Sequence, residues 1–139
     1  MYSKEAISSL TELINGNEAA RDWLMKNNFS ELILLSFSIK GYDDALKELT
    51  KKKFIELTAV AHAVRGDSKA FNWLAQNKKF EWAATIQIIY KKKDAAVWLK
   101  KNKLDHYYAL GEAIRKLKDE EQSGDIFSML FKRFKKLRR

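Results

Sequence analysis

Residues 66–77 read Gly-Asp-Ser-Lys-Ala-Phe-Asn-Trp-Leu-Ala-Gln-Asn, and this stretch decides the fold. Ala70, Trp73 and Leu74 stand at i, i+3 and i+4, one face of a helix of about nine residues. The same ranks return every 25 residues, as Ala20, Ala45, Ala70 and Ala95, and as Leu24, Leu49, Leu74 and Leu99. The position before the leucine reads Trp23, Glu48, Trp73, Trp98, and the one three after it reads Asn27, Lys52, Asn77, Asn102. Rows begin at Gly16, Gly41, Gly66 and Lys91 and hold register without an insertion.

Each row continues into a second apolar stripe. Leu32, Leu35, Ser36 and Ile39 in the first row, and Trp82, Thr85, Ile86 and Ile89 in the third, have the i, i+3, i+4, i+7 spacing of a second helix of about twelve residues. Asn27, Asn77 and Asn102 read as stops of the first helix, because asparagine tolerates the left-handed conformation. Glu31, Glu56 and Glu81 fall in the first turn of the second helix, facing the positive end of its dipole. Gly16, Gly41 and Gly66 close the second helices, with Asn17, Asp43 and Asp67 as N-caps of the next. A hairpin this small buries its stripe only by stacking on its neighbours, so the pattern predicts an all-α, right-handed α-solenoid, an α-α superhelix of about five stacked helical hairpins.

The expected organisation is a helical-repeat array over residues 1–118. It opens with a half repeat at residues 5–15, carrying Ile7, Leu10, Thr11 and Ile14 on its stripe, and continues with repeats starting at 16, 41, 66 and 91. Beyond Lys116 the register fails. Residues 119–124 read as a linker and residues 125–139 as a basic amphipathic helix capping the array, with Ile126, Phe127, Leu130, Phe131, Phe134 and Leu137 on one side.

The pattern Gly-Asp-x-x-Ala-x-x-Trp-Leu-x-x-Asn resembles the short α-hairpin repeats of solenoid proteins in general, with a period below the roughly 33 to 47 residues of tetratricopeptide, ankyrin and HEAT units. The resemblance implies a binding surface, and in a minority of helical-repeat proteins a basic concave face that contacts DNA.

Composition narrows the chemistry. Among 139 residues there is no cysteine and no proline, and only five glycines. Disulfides, thiolate catalysis and Cys-ligated zinc are excluded, and chain breakers are almost absent. The longest run without a charge, Trp82 to Tyr90, is far short of the roughly 20 residues that cross a bilayer. With no apolar leader at the N-terminus, the sequence is read as cytoplasmic. The two histidines, His62 and His106, lack a neighbouring nucleophile or ligand set, so no catalytic residue, metal or cofactor is expected.

Lys and Arg number 27 against 18 Asp and Glu, a net charge of +9. Six of those cations, with no acid, stand between Lys132 and Arg139. The turns between the two helices of successive rows carry Lys26, then Lys51, Lys52 and Lys53, then Lys78 and Lys79, then Lys101 and Lys103. Stacking brings these to one edge as a ridge able to follow phosphate groups, and Lys132, Arg133, Lys135 and Lys136 of the basic tail are a separate candidate for phosphate contact. Solvated turns are also rich in lysine without any partner, and lysine rather than arginine argues against base-specific readout. The aligned tryptophans are expected as large core residues between hairpins.

On the second helices a chemically varied stripe includes His62, Arg65, Gln87, Tyr90, Tyr108, Glu112 and Arg115, the composition of a recognition face. The sequence therefore predicts a non-enzymatic interaction scaffold for a protein or peptide. The alternatives are a nucleic-acid-associated protein using the lysines and the basic tail, and attachment to an anionic membrane surface through the C-terminal helix.

Overall fold

The computed structural model describes the backbone of residues 1–137 and the side chains of residues 1–121. The chain is all-helical, with no strand among the described residues. Its elements are α1 (Lys4–Ile14), α2 (Ala19–Lys26), α3 (Ser30–Ile39), α4 (Asp43–Lys51), α5 (Ile55–Val64), α6 (Ser68–Gln76), α7 (Phe80–Ile89), α8 (Lys93–Lys101) and α9 (Asp105–Leu137). The helices α3, α5, α7 and α9 begin at 30, 55, 80 and 105, matching the sequence period.

Every helix from α1 to α8 ends in the same tight hydrogen-bonded turn. After α2, Phe29 N–H donates to the Leu24 carbonyl and Asn28 N–H to that of Met25. After α6, Lys79 and Lys78 do the same to Leu74 and Ala75. This Schellman arrangement needs one residue in the left-handed region. Gly16, Gly41 and Gly66 supply it after α1, α3 and α5, and Asn28, Lys53, Lys78, Lys91 and Lys103 after the others. The expected stops Asn27, Asn77 and Asn102 stand one residue earlier, at negative φ. Their role is different: each side-chain amide donates at 2.8 Å to the carbonyl of Trp23, Trp73 or Trp98, satisfying an acceptor that the helix end leaves open. At the next helix starts, Asn17 Oδ1 accepts from Ala19 N–H and Asp67 Oδ1 from Lys69 and Ala70 N–H. Asp43 is instead the first residue of α4 and makes no cap of its own.

The five second helices, α1, α3, α5, α7 and α9, run in the same direction. Their N-terminal ends meet through the hydrogen bonds Tyr2–Glu31 and Trp82–Glu56. The C-terminal ends of the first four meet where Lys40 donates to the Leu13 carbonyl, Arg65 to Ser38 and Tyr90 to Val64, and Lys118, midway along the longer α9, donates to Val64 as well. Each packs on the next, and α9 returns to pack against α1. The helices α2, α4, α6 and α8 each bridge the two second helices that flank them in sequence. A superhelical row leaves its first and last units apart, so the contact of α1 with α9 departs from the expected arrangement of the ends.

The core lies inside these five helices and falls into three ranks, one residue from each helix. They are Ile7, Leu32, Leu57, Trp82 and Tyr107; Leu10, Leu35, Val60, Thr85 and Leu110; and Ile14, Ile39, Val64, Ile89 and Ile114, all buried. Thr85 is tolerated there because its hydroxyl donates to the Glu81 carbonyl at 2.7 Å. Gly111 lets α9 approach α7 closely, since a Cβ there would come within 2.8 Å of the Ile88 side chain. The leucines Leu24, Leu49, Leu74 and Leu99 seal the first helices onto this core with no exposed surface.

The tryptophans behave otherwise. Trp23 and Trp73 are only partly buried, Trp98 is 37% exposed, and the buried tryptophan is Trp82. One position before the leucine is a rotation of about 100° around the helix, which puts the Trp rank on the flank rather than in the core.

The expected linker at 119–124 is helical and continuous with α9. Asp, Glu, Gln and Ser give no strong reason to break the helix, and a single glycine costs only about 1 kcal/mol. The side chains of Lys132, Arg133, Lys135 and Lys136 lie outside those described.

Lysine in the left-handed region is strained where glycine is not. Lys78→Gly is expected to raise unfolding stability by roughly 0.5–1 kcal/mol in a urea titration, the relief of strain exceeding the loss of unfolded-state restriction. A destabilisation of similar size would contradict the turn geometry.

Candidate functional site

One end of the molecule gathers the turns that precede α3, α5, α7 and α9, together with the chain start. Its outer rim is basic because the turn geometry projects the residues around each left-handed position into solvent. Lys26, Lys51, Lys52, Lys53, Lys78, Lys101 and Lys103 are all exposed there. Lys52 pairs with Glu48 at 3.7 Å, within its own helix, and Lys79 with Glu56 at 3.0 Å. For Lys51, Lys53, Lys78, Lys101 and Lys103 there is no ion pair among the described residues. The sequence-derived ridge is thus brought together as far as its side chains are described. Large apolar side chains stay uncovered among these lysines: Met25, Ile55, Phe80 and Trp98, the last two in edge-to-face contact at 6.4 Å.

Inside the rim the chemistry reverses. Glu31, Glu56 and Glu81 stand on the first turns of α3, α5 and α7, where the helix dipoles favour carboxylates. The Tyr2 hydroxyl donates to Glu31 Oε1 at 3.1 Å, and Trp82 Nε1–H donates to Glu56 Oε2 at 3.1 Å. Glu81 is 6% exposed, and its carboxylate has no hydrogen-bond or ion-pair partner among the described residues. Tyr2, Trp82 and Tyr107 wall this centre, with ring centroids 6.3 Å apart for Tyr2–Trp82 and 5.3 Å for Trp82–Tyr107. The Tyr107 hydroxyl is fully buried without a partner. Burial, then the Glu81 carboxylate, raise its pKa above the ordinary tyrosine range. The Tyr2 hydroxyl is raised likewise, by burial and then by Glu31. His106 beside Tyr107 is shifted down, by desolvation and then by Lys4, which favours its neutral form. Among the described residues no three acidic or histidine side chains are grouped closely enough to hold a metal ion.

The residues of the varied stripe do not converge. His62 borders a cleft with Lys47, Thr50 and Lys51. Gln87 and Tyr90 line a second cleft with Asp67 and Phe71. Tyr108, Glu112 and Arg115 lie along the seam of α1 and α9 with Thr11 and Asn15. Several are already engaged within the fold. Arg65 pairs with Asp43 at 3.0 Å and donates to the Ser38 carbonyl, Tyr90 donates to the Val64 carbonyl, and Arg115 pairs with Glu112 and Asp119. Sequence reasoning missed the centre formed by Tyr2, Glu81, Trp82 and Tyr107. The signal in the sequence is the carboxylate rank itself, for which the helix dipole is already a sufficient reason.

Comparison of the chain with protein-family models, with curated proteins and with solved structures found no match to any of the three. Among the described residues no helix is long and apolar enough to cross a membrane.

The two tyrosines make a contrasting pair. Tyr2→Phe is expected to cost roughly 1 kcal/mol by losing a hydrogen bond to a carboxylate, whereas Tyr107→Phe removes an unpaired hydroxyl and is near neutral at pH 7. A raised tyrosine pKa contributes stability that is complete below about pH 10 and is lost as the pH climbs further. The alkaline fall in stability, followed by denaturant titration at increasing pH, is therefore expected to be shallower in Tyr107→Phe. An unchanged slope would contradict the burial of this phenol.

Proposed function

We propose that the chain is a non-enzymatic interaction module whose turn-bearing end docks a protein or peptide partner. In this reading the molecule is a right-handed α-solenoid of short helical hairpins, wound tightly enough that its last unit meets its first. The setting in this reading is cytoplasmic.

The observation that carries the reading is the exposure of Met25, Ile55, Phe80 and Trp98 at the same end as the turn lysines. Aromatic and methionine side chains are enriched in the centres of protein interfaces, and a cationic frame around them selects a partner with acidic flanks. The lysines alone favour a second reading, contact with a nucleic-acid backbone through Lys51, Lys53, Lys78, Lys101 and Lys103. Phosphate-driven binding weakens steeply with salt, because each contact releases a condensed counterion.

Passing a native extract over the immobilised protein, with and without prior nuclease treatment, separates these readings. The proposal expects a discrete protein partner that is retained at roughly 200 mM salt and lost with the double substitution Phe80→Ala and Trp98→Ala. Recovery of nucleic acid only, with retention collapsing as salt rises and unaffected by the aromatic substitutions, would overturn it in favour of the second reading.

A further inference from the structure

The cleft between α4 and α5 has a volume of about 520 Å³ and is lined by Asp43, Leu46, Lys47, Thr50 and Lys51 of α4 and by His62 of α5. Three basic side chains from two helices therefore border one space. Lys47 and Lys51 stand at i and i+4, neighbours on the same face of α4. Neither has an ion pair among the described residues. The one acid of the cleft, Asp43, is answered within the fold by Arg65 at 3.0 Å. The Thr50 hydroxyl is spent on the Leu46 carbonyl, so the two lysines and the imidazole carry the polar chemistry.

A solvated helix flank does not account for this set, because it occurs once. The equivalent positions in the other repeats read Asp22, Lys26 and Phe37, then Asn72, Gln76 and Gln87, then Val97, Lys101 and Glu112. Positions that serve the stack recur from repeat to repeat, as the leucines do, whereas these three are basic together only here.

We propose that this cleft binds a small organic phosphate, a monoester whose phosphate group lies between Lys47, Lys51 and His62. Such a group carries about −1.5 to −2 charge near neutral pH and three acceptor oxygens, which two ammonium groups and an imidazole N–H match in charge and in number. A carboxylate, with a single charge, would leave one ammonium unanswered. The cleft is of the size of small-molecule sites, roughly 300–1,000 Å³, and Leu46 with the lysine stems gives the organic part an apolar floor. Only Lys51 is shared with the docking rim, and the assignment stands independently of what docks there.

The test is a titration of the full chain with phenyl phosphate at fixed pH, followed by NMR through the histidine Hε1 resonances. The chain has two histidines, and His106 on the first turn of α9 serves as the internal control. His62→Gln identifies the reporting signal. A saturable shift of His62 alone is expected, weaker with inorganic phosphate, which lacks the apolar part, and weaker still with dimethyl phosphate, a diester of single charge. Lys47 and Lys51 are exposed, so Lys47→Gln and Lys51→Gln keep the fold, and each is expected to weaken binding about tenfold by losing one charge-assisted hydrogen bond. Lys100→Gln is expected to leave binding unchanged. Equal movement of both histidines, a shift reproduced by sodium chloride at matched ionic strength, or an affinity that survives both substitutions would overturn the assignment. So would a diester bound as tightly as the monoester, the mark of contact with a nucleic-acid backbone. Because phenyl phosphate plays no part in the extract experiment, a failure here leaves the docking reading to that experiment.

Discussion

The structure depends on a shared core that no single hairpin owns. Three ranks of five side chains, one from each second helix, meet inside α1, α3, α5, α7 and α9, and each rank needs all five contributors to stay dry. The rest of the fold follows from keeping those helices parallel and in register. Parallel alignment requires an antiparallel return between successive members, which α2, α4, α6 and α8 provide. It also concentrates helix ends of one sign at each end of the molecule. At the C-terminal end, Lys40, Arg65 and Lys118 answer the exposed carbonyls. At the N-terminal end, Glu31, Glu56 and Glu81 answer the open amides, and this charge pattern shapes the candidate site.

Much of this was readable in the chain. The 25-residue spacing located the helices, because alanine and leucine ranks at i and i+4 leave little freedom in where a nine-residue helix lies. Asn17 and Asp67 capped as their side chains allow. The lysines of the turns gathered at one edge, since short connections leave no other place for them.

What the sequence withheld has physical causes. Identical spacing states which residues are equivalent but not how far each unit turns relative to the last, and that accumulated turn decides whether α9 reaches α1. Size alone suggests burial for the aligned tryptophans, whereas a rotation of one residue around the helix puts Trp98 on the surface and leaves the core to Trp82. Asn27, Asn77 and Asn102 were assigned to the left-handed position from intrinsic tolerance, but their amides do more as donors to the preceding turn, and lysines take the strained position at three of the four equivalent turns. The linker expected at 119–124 rested on polar composition alone, which a helix accepts readily. The acid and aromatic centre was hidden because Tyr2 and Tyr107 lie at opposite ends of the array in sequence, and only the return of α9 to α1 brings them near each other.

That return is the claim on which both the core and the centre rest, and methyl NOEs measure it directly. With selectively labelled leucine and isoleucine, cross-peaks are predicted between Leu10 and Leu110, and between Ile14 and Ile114. Strong contacts along each neighbouring pair of second helices, with none between α1 and α9, would show a row with separated ends and contradict the account.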